Sequence, residues 1–119
     1  MSHFTGFVLA VPTANRQKYI DHAKAAWPMF RDRGALRMVE GWGLDVPHGK
    51  QTDFYRATQA RDDETVVFSW IEWPDKDTAD RAYAAMMADE APPPGMEEMP
   101  FDGMRMFWGG FEPVVDVRA

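Results

Sequence analysis

Two carboxylates stand in segments that are otherwise largely apolar: Glu40 within ALRMVEGWGLDV and Glu72 within TVVFSWIEW. A carboxyl that apolar neighbours withdraw from water has a raised pKa, which suits it to give or take a proton near neutrality. The structural alternative is that each pairs with Arg37, Arg105 or another base at a sheet rim. His22 lies beside an apolar stripe in KYIDHAKAAW and is a third candidate for proton transfer, with a half-exposed helix residue as the plainer reading. His3, His22 and His48 are the only imidazoles, and none falls in an HxH, HxxxH or HExxH spacing, so no metal site is expected. The chain has no cysteine, which excludes disulfides, thiolate zinc sites and a thiol nucleophile. Nothing resembles a Ser-His-Asp set, a phosphate-cradling glycine loop or a nucleotide fingerprint, and no cofactor is expected.

The aromatic content points instead to binding. Trp27, Trp42, Trp70, Trp73 and Trp108 are available to line a flat apolar pocket, although aromatic residues on strands belong first to cores and interfaces. Trp42 and Trp70 are the preferred lining residues, with Trp27 beside them. The polar excursion from Asp45 to Arg56 adds Asp53 and Arg56 as candidate ligand contacts, because loops at strand ends often carry function. Those two can equally pair with each other as i, i+3 helical neighbours.

These residues must be positioned by a small set of elements. Residues 3–12, HFTGFVLAVP, read as a strand closed by Pro12. Thr13 is placed to cap a helix over about 14–33, whose stripe is Tyr19, Ile20, Ala23, Ala26, Trp27 and Phe30. Pro28 should kink or shorten it, and Gly34 is placed as its C-terminal cap. Residues 35–46 read as a strand bulged at Gly41 and Gly43, and Phe54–Ala57 as a turn or two of helix capped by Thr52 or Asp53. The clearest strand is 65–73, stopped by Pro74. A helix over about 76–90 follows, capped by Asp75 or Asp77 and ended by Pro92-Pro93-Pro94-Gly95. Phe101-Asp102-Gly103 reads as a tight turn with positive φ, before a last strand over about 104–115 broken at Gly109-Gly110 and Pro113. The order, β-α-β-excursion-β-α-β, is the ferredoxin-like split-βαβ pattern: an α+β domain, single over residues 1–119, with a four-stranded antiparallel sheet and helices on one face.

The strands do not alternate apolar with polar. In the third, Val67, Ser69, Ile71 and Trp73 oppose Val66, Phe68, Trp70 and Glu72; in the first, Thr5, Phe7, Leu9 and Val11 oppose Phe4, Gly6, Val8 and Ala10. Two helices cover one face, and the other is left with an aromatic surface that monomers seldom expose. A second copy on a two-fold axis covers it most simply, so a homodimer joined through that face is expected.

Composition limits the partners. Thirteen Lys+Arg against nineteen Asp+Glu give a formal charge of −6, with the basic residues scattered, so no nucleic acid is expected. No apolar run approaches the length of a membrane span and no leader is visible, so the expected place is the cytoplasm, away from membranes.

The stretches GFVLAVP with AN, GALRMVEGWGLDVPHGKQTDF, DETVVFSWIEWPD and MPFDGMRMFWGGFEP resemble the bacterial domain-of-unknown-function family DUF1428 over about residues 4–116. The resemblance implies a dimeric α+β barrel built from ferredoxin-like subunits and implies no particular activity. The expectation is therefore a protein that binds a small apolar or aromatic molecule between helices and sheet. The alternatives are a cofactor-free monooxygenase or isomerase with Glu40, Glu72 or His22 as base, and a structural or stress-related dimer with a filled interior.

Overall fold

The computed structural model describes residues 2–89 and 98–119. Its elements are strand β1 (His3–Pro12), helix α1 (Arg16–Arg31), strand β2 (Arg37–Trp42), the short helix α2 (Phe54–Thr58), strand β3 (Glu64–Trp73), helix α3 (Lys76–Ala88) and strand β4 (Phe107–Phe111). The strands form one antiparallel sheet in the order β2-β3-β1-β4. This is the ferredoxin-like α+β topology that the element order predicts.

Residues opposite one another on the ladder share a face. Leu9 lies across from Val67, Thr5 from Ile71, and Glu40 from Ser69, and all six turn toward α1 and α3. Under these helices the core forms two clusters. One gathers Ile71 and Trp73 with Ala79 and Ala82 of α3, joined by Trp27 and Phe30 of α1. The other gathers Leu9, Val11 and Val67 under Tyr19, joined by Trp42, Phe101 and Met106. Burying Trp73 leaves no donor unpaired, because its indole N–H donates to Thr5 Oγ1 at 3.1 Å.

The opposite face carries Phe4, Val8, Val39, Phe68, Trp70, Phe107 and Phe111. Phe68, Phe107 and Phe111 are exposed. Helix α2 packs against one end of this face, touching β1 and β3. Ala10 and Val66 are buried there, and the Phe54 ring stands edge-on to Phe68, 6.3 Å between centroids. The long helices thus share one face as expected, while the excursion sends a short helix to the other.

Local differences from the sequence reading have local causes. The Thr13 hydroxyl bonds Thr65 Oγ1 at 2.8 Å instead of capping, so a 3-10 turn at Thr13–Asn15 precedes α1. Helix α1 runs through Pro28 to Arg31, and the Asp32 N–H returns to the Pro28 carbonyl at 2.9 Å. Gly34 follows with φ +107°, and a Cβ there would lie 2.5 Å from Thr78 Cγ2. Asp75, not Asp77, caps α3 by accepting from the Thr78 N–H at 2.7 Å. Strands β2 and β4 are shorter than expected, and Gly41, Gly109 and Gly110 stay in register instead of bulging. Asp102 closes its turn by accepting from the Met104 N–H at 3.0 Å, with no positive φ at Gly103. The expected stop at Pro92–Gly95 lies outside the described residues. Among those described, no helix is long and apolar enough to cross a membrane.

Candidate functional site

Glu40 stands in the middle of β2 with its side chain toward α1. The Tyr19 hydroxyl on α1 donates to Glu40 Oε1, and the Ser69 hydroxyl across the ladder bonds the same carboxyl. Tyr19 and Ser69 are almost wholly buried, so each hydroxyl needs a partner, and Glu40 serves both. Glu40 keeps an exposed side, but the protein packed around the carboxyl displaces water from the rest. That desolvation raises its pKa, outweighing the two hydrogen bonds that pull it down. Burial, the charge of Glu40 and the shared hydrogen bond together hold the Tyr19 hydroxyl well above the ordinary phenol range, so it remains a donor.

Tyr19, Ala23, Met38 and Glu40 line two adjoining cavities. The inner one, about 180 Å³, occupies the gap between the two core clusters. Phe7, Phe30 and Ile71 bound it on one side, Leu9, Phe101 and Met106 on the other, and Ser69 and His22 add polar groups to its lining. The outer one, about 310 Å³, lies between Trp42 and the α1 residues Arg16, Ile20 and Lys24. The Arg16 guanidinium sits over the Trp42 ring, 5.8 Å from its centroid.

His22 meets the edge of Phe101 at 6.0 Å between centroids, and its buried Nδ1 has no hydrogen-bond partner among the described residues. Burial lowers its pKa, so the ring is predominantly neutral at pH 7. Phe101 also meets Tyr19 edge-on at 5.7 Å. The segment carrying Phe101 and Met106 has little regular structure of its own and is fastened from outside. Asn15 Nδ2 donates to the Pro100 carbonyl at 2.9 Å. Arg105 grips both oxygens of Glu64 at 2.6 Å, Asp102 at 3.0 Å and the Gln59 carbonyl at 2.9 Å. The Arg105 guanidinium holds the Glu64 carboxyl below the usual range.

Of the residues singled out from sequence, Glu40, His22 and Trp42 come together along this cleft. Glu72 and Trp70 do not. They belong to the opposite face, Glu72 across from Phe4 and Arg37, and Trp70 tilted against Phe68 at 5.6 Å. Nor does Arg105 serve Glu40 or Glu72, being committed to Glu64 and Asp102. Trp27 packs against the Trp73 cluster and borders a shallow hollow with Leu36 and Arg37. Asp53 and Arg56 build the excursion. The Asp53 carboxylate accepts from the Arg56 N–H at 2.8 Å and the Gly49 N–H at 3.0 Å, with the Arg56 guanidinium 3.8 Å away. Four cleft residues, Tyr19, Ser69, Arg16 and Lys24, escaped the sequence reading. Only Tyr19 carried a signal: a phenol within a buried helical stripe must find an acceptor on the sheet beneath it.

Comparison with known proteins is consistent with this architecture. A family described as "Protein of unknown function (DUF1428)" matches residues 2–103. The uncharacterized protein YbaA of Escherichia coli K12 is 49% identical over 116 residues, covering 98% of this chain and 99% of that one. The YbaA of Shigella flexneri matches equally well. Among solved structures, a dimeric ferredoxin-like protein from an uncultured marine organism superposes with a TM-score of 0.61 at 14% identity, covering 98% of this chain and 100% of the other.

Proposed function

The chain belongs to the DUF1428 family of unknown function, and we propose that it is a homodimeric binding protein for a small apolar or aromatic molecule, held in the cleft between α1 and the sheet. The carrying observation is the interrupted core. Interiors of this size normally fill at crystal-like density. Here the two clusters leave a gap at the centre of the sheet, walled by rings and thioethers and bordered by one carboxyl. Apolar walls with a few convergent polar groups are the usual make-up of a ligand site, and the outer cavity alone, about 310 Å³, falls within the customary size. The exposed aromatic face and the solved relative described as dimeric support the second copy. We read the whole chain as one domain and, from its lack of cysteine and its acidity, place it in the cytoplasm.

A thermal-shift panel of quinones, flavonoids and fatty acids, followed by amide chemical-shift mapping, tests the reading. Stabilisation by at least one class, with shifts centred on Tyr19, Glu40 and Trp42, is the expected result. No stabilisation and no perturbation of those residues overturns it.

One observation favours a second reading, a cofactor-free enzyme. The Glu40 carboxyl and the unpartnered His22 nitrogen line the same inner cavity, where an ionisable carbon of a bound molecule would meet both. If turnover is found, Glu40→Gln should abolish it while leaving binding largely intact; unchanged turnover removes Glu40 from the role.

A further inference from the structure

Resting on the cleft as a binding site, we infer that its ligand is a small amphipathic carboxylate, whose apolar end occupies the smaller cavity and whose anionic end lies between Arg16 and Lys24. The polarity of the cleft runs in one direction. The inner cavity is walled mostly by aromatic and aliphatic side chains, and its volume is about 180 Å³. A dry cavity of about 150 Å³ accepts a benzene ring, so this one takes a single ring or a short branched chain. Glu40 and Tyr19 stand at the neck, and the outer cavity beyond them carries two cations.

Neither cation is spent elsewhere. Arg16 and Lys24 make no ion pair among the described residues, in a chain whose formal charge is −6. The Arg16 guanidinium, 5.8 Å from the Trp42 ring centroid, makes no side-chain hydrogen bond among the described residues and has its N–H donors to offer a carboxylate. Among the described residues, Glu40 is the sole carboxylate lining either cavity. Its single charge is outnumbered by the two cations that share the cavity with it. The other groups facing it, Tyr19 and His22 from α1 and Ser69 from β3, are neutral near pH 7. One cavity is therefore apolar, its neighbour carries the two cations, and Tyr19 and Glu40 stand where they meet.

Three matched probes separate the possibilities: 4-phenylbutyrate, its neutral amide and 4-phenylbutylamine, each titrated into the full-length protein and followed through the amide shifts of Tyr19 and Trp42. The acid should bind about tenfold more tightly than the amide, as expected for one charge-assisted contact, and the amine should not bind measurably. In the Arg16→Gln, Lys24→Gln double variant the acid should fall to the affinity of the amide, with the amide unchanged. Equal binding of acid and amide, or a difference that survives the double variant, overturns the carboxylate inference and leaves the cleft as a site for neutral molecules. If none of the probes and none of the quinones, flavonoids and fatty acids moves those two residues, the binding reading fails and the inference with it.

Discussion

Glu40 lines both cavities of the proposed binding cleft, and its raised pKa makes two measurable demands. The folded protein holds the Glu40 proton to higher pH than the unfolded chain does. Between the ordinary carboxyl range and that raised value the unfolded state binds fewer protons, so this group's contribution to stability falls as pH rises. Glu40→Gln keeps an acceptor for Tyr19 and Ser69 and removes the titration. The variant's unfolding midpoint should gain on the wild type's between pH 4 and 8, by about one to two degrees because one side of Glu40 faces water. Parallel curves would mean that the carboxyl is not desolvated. Binding should show the same proton: above the raised pKa, 4-phenylbutyrate affinity should decline in the wild type and stay flat in the variant, and a decline in both would exclude Glu40 as its source. Tyr19, whose pKa is raised well above the ordinary phenol range, does not titrate there, and His22→Gln in the same titration separates the imidazole from the carboxyl. Glu40 and His22 were legible in the sequence because a charge or imidazole amid apolar residues stands out. Glu72 met the same criterion and lies on the other face. A period of two divides a strand's residues into two sets, but it does not say which set the helices will cover.

At the scale of elements, the least regular segment bears the most on the site. Residues 98–106 supply Phe101 and Met106 to the inner cavity, and their only helical hydrogen bonding is the 3-10 turn at Gly103–Arg105. Their position depends on Arg105, whose bidentate pair with Glu64 is nearly closed to solvent. Arg105→Ala should leave the helical circular dichroism intact, lower the unfolding midpoint at pH 7 and weaken binding of 4-phenylbutyrate severalfold. The stability loss has a predictable pH dependence. Arg105 holds the Glu64 pKa down, so the pair stabilises above the ordinary carboxyl range and is lost as pH falls through the lowered value. Wild type and variant should thus converge toward about pH 3; an undiminished gap there would assign the effect to packing rather than charge. Sequence gave no hint of this clamp, because it joins residues 41 positions apart in a segment without periodicity. The strands and helices were legible where local signals agreed. β3 is an unbroken β-branched and aromatic run ended by Pro74, and α3 is capped by Asp75. β4 was overestimated because apolar content continues past Phe111 with no strand for the extra residues to pair with.

For the whole molecule, surface area argues most directly for a partner. A folded monomer of 13.6 kDa is expected to expose about 6,600 Å², whereas this chain exposes 8233 Å². The excess, roughly 1,700 Å², is larger than the surface that one subunit buries in a standard interface. Phe68, Phe107 and Phe111 lie on one exposed sheet face, so a two-fold contact there would cover part of that excess, while another part belongs to the exposed tail with Val114, Val115 and Val117. Native mass spectrometry should give twice the chain mass, and Phe68→Asp with Phe111→Asp should give the monomer. The sheet is a single layer, so the proposed interface and the floor of the cleft are two sides of the same strands: Phe68 and Trp70 alternate with Val67, Ser69 and Ile71. A separated subunit should therefore retain its circular dichroism but bind 4-phenylbutyrate more weakly, because the floor under Ser69 loses its backing. A wild-type monomer at micromolar concentration would refute the interface, and a separated subunit that binds with full affinity would show that the two sides of the sheet act independently.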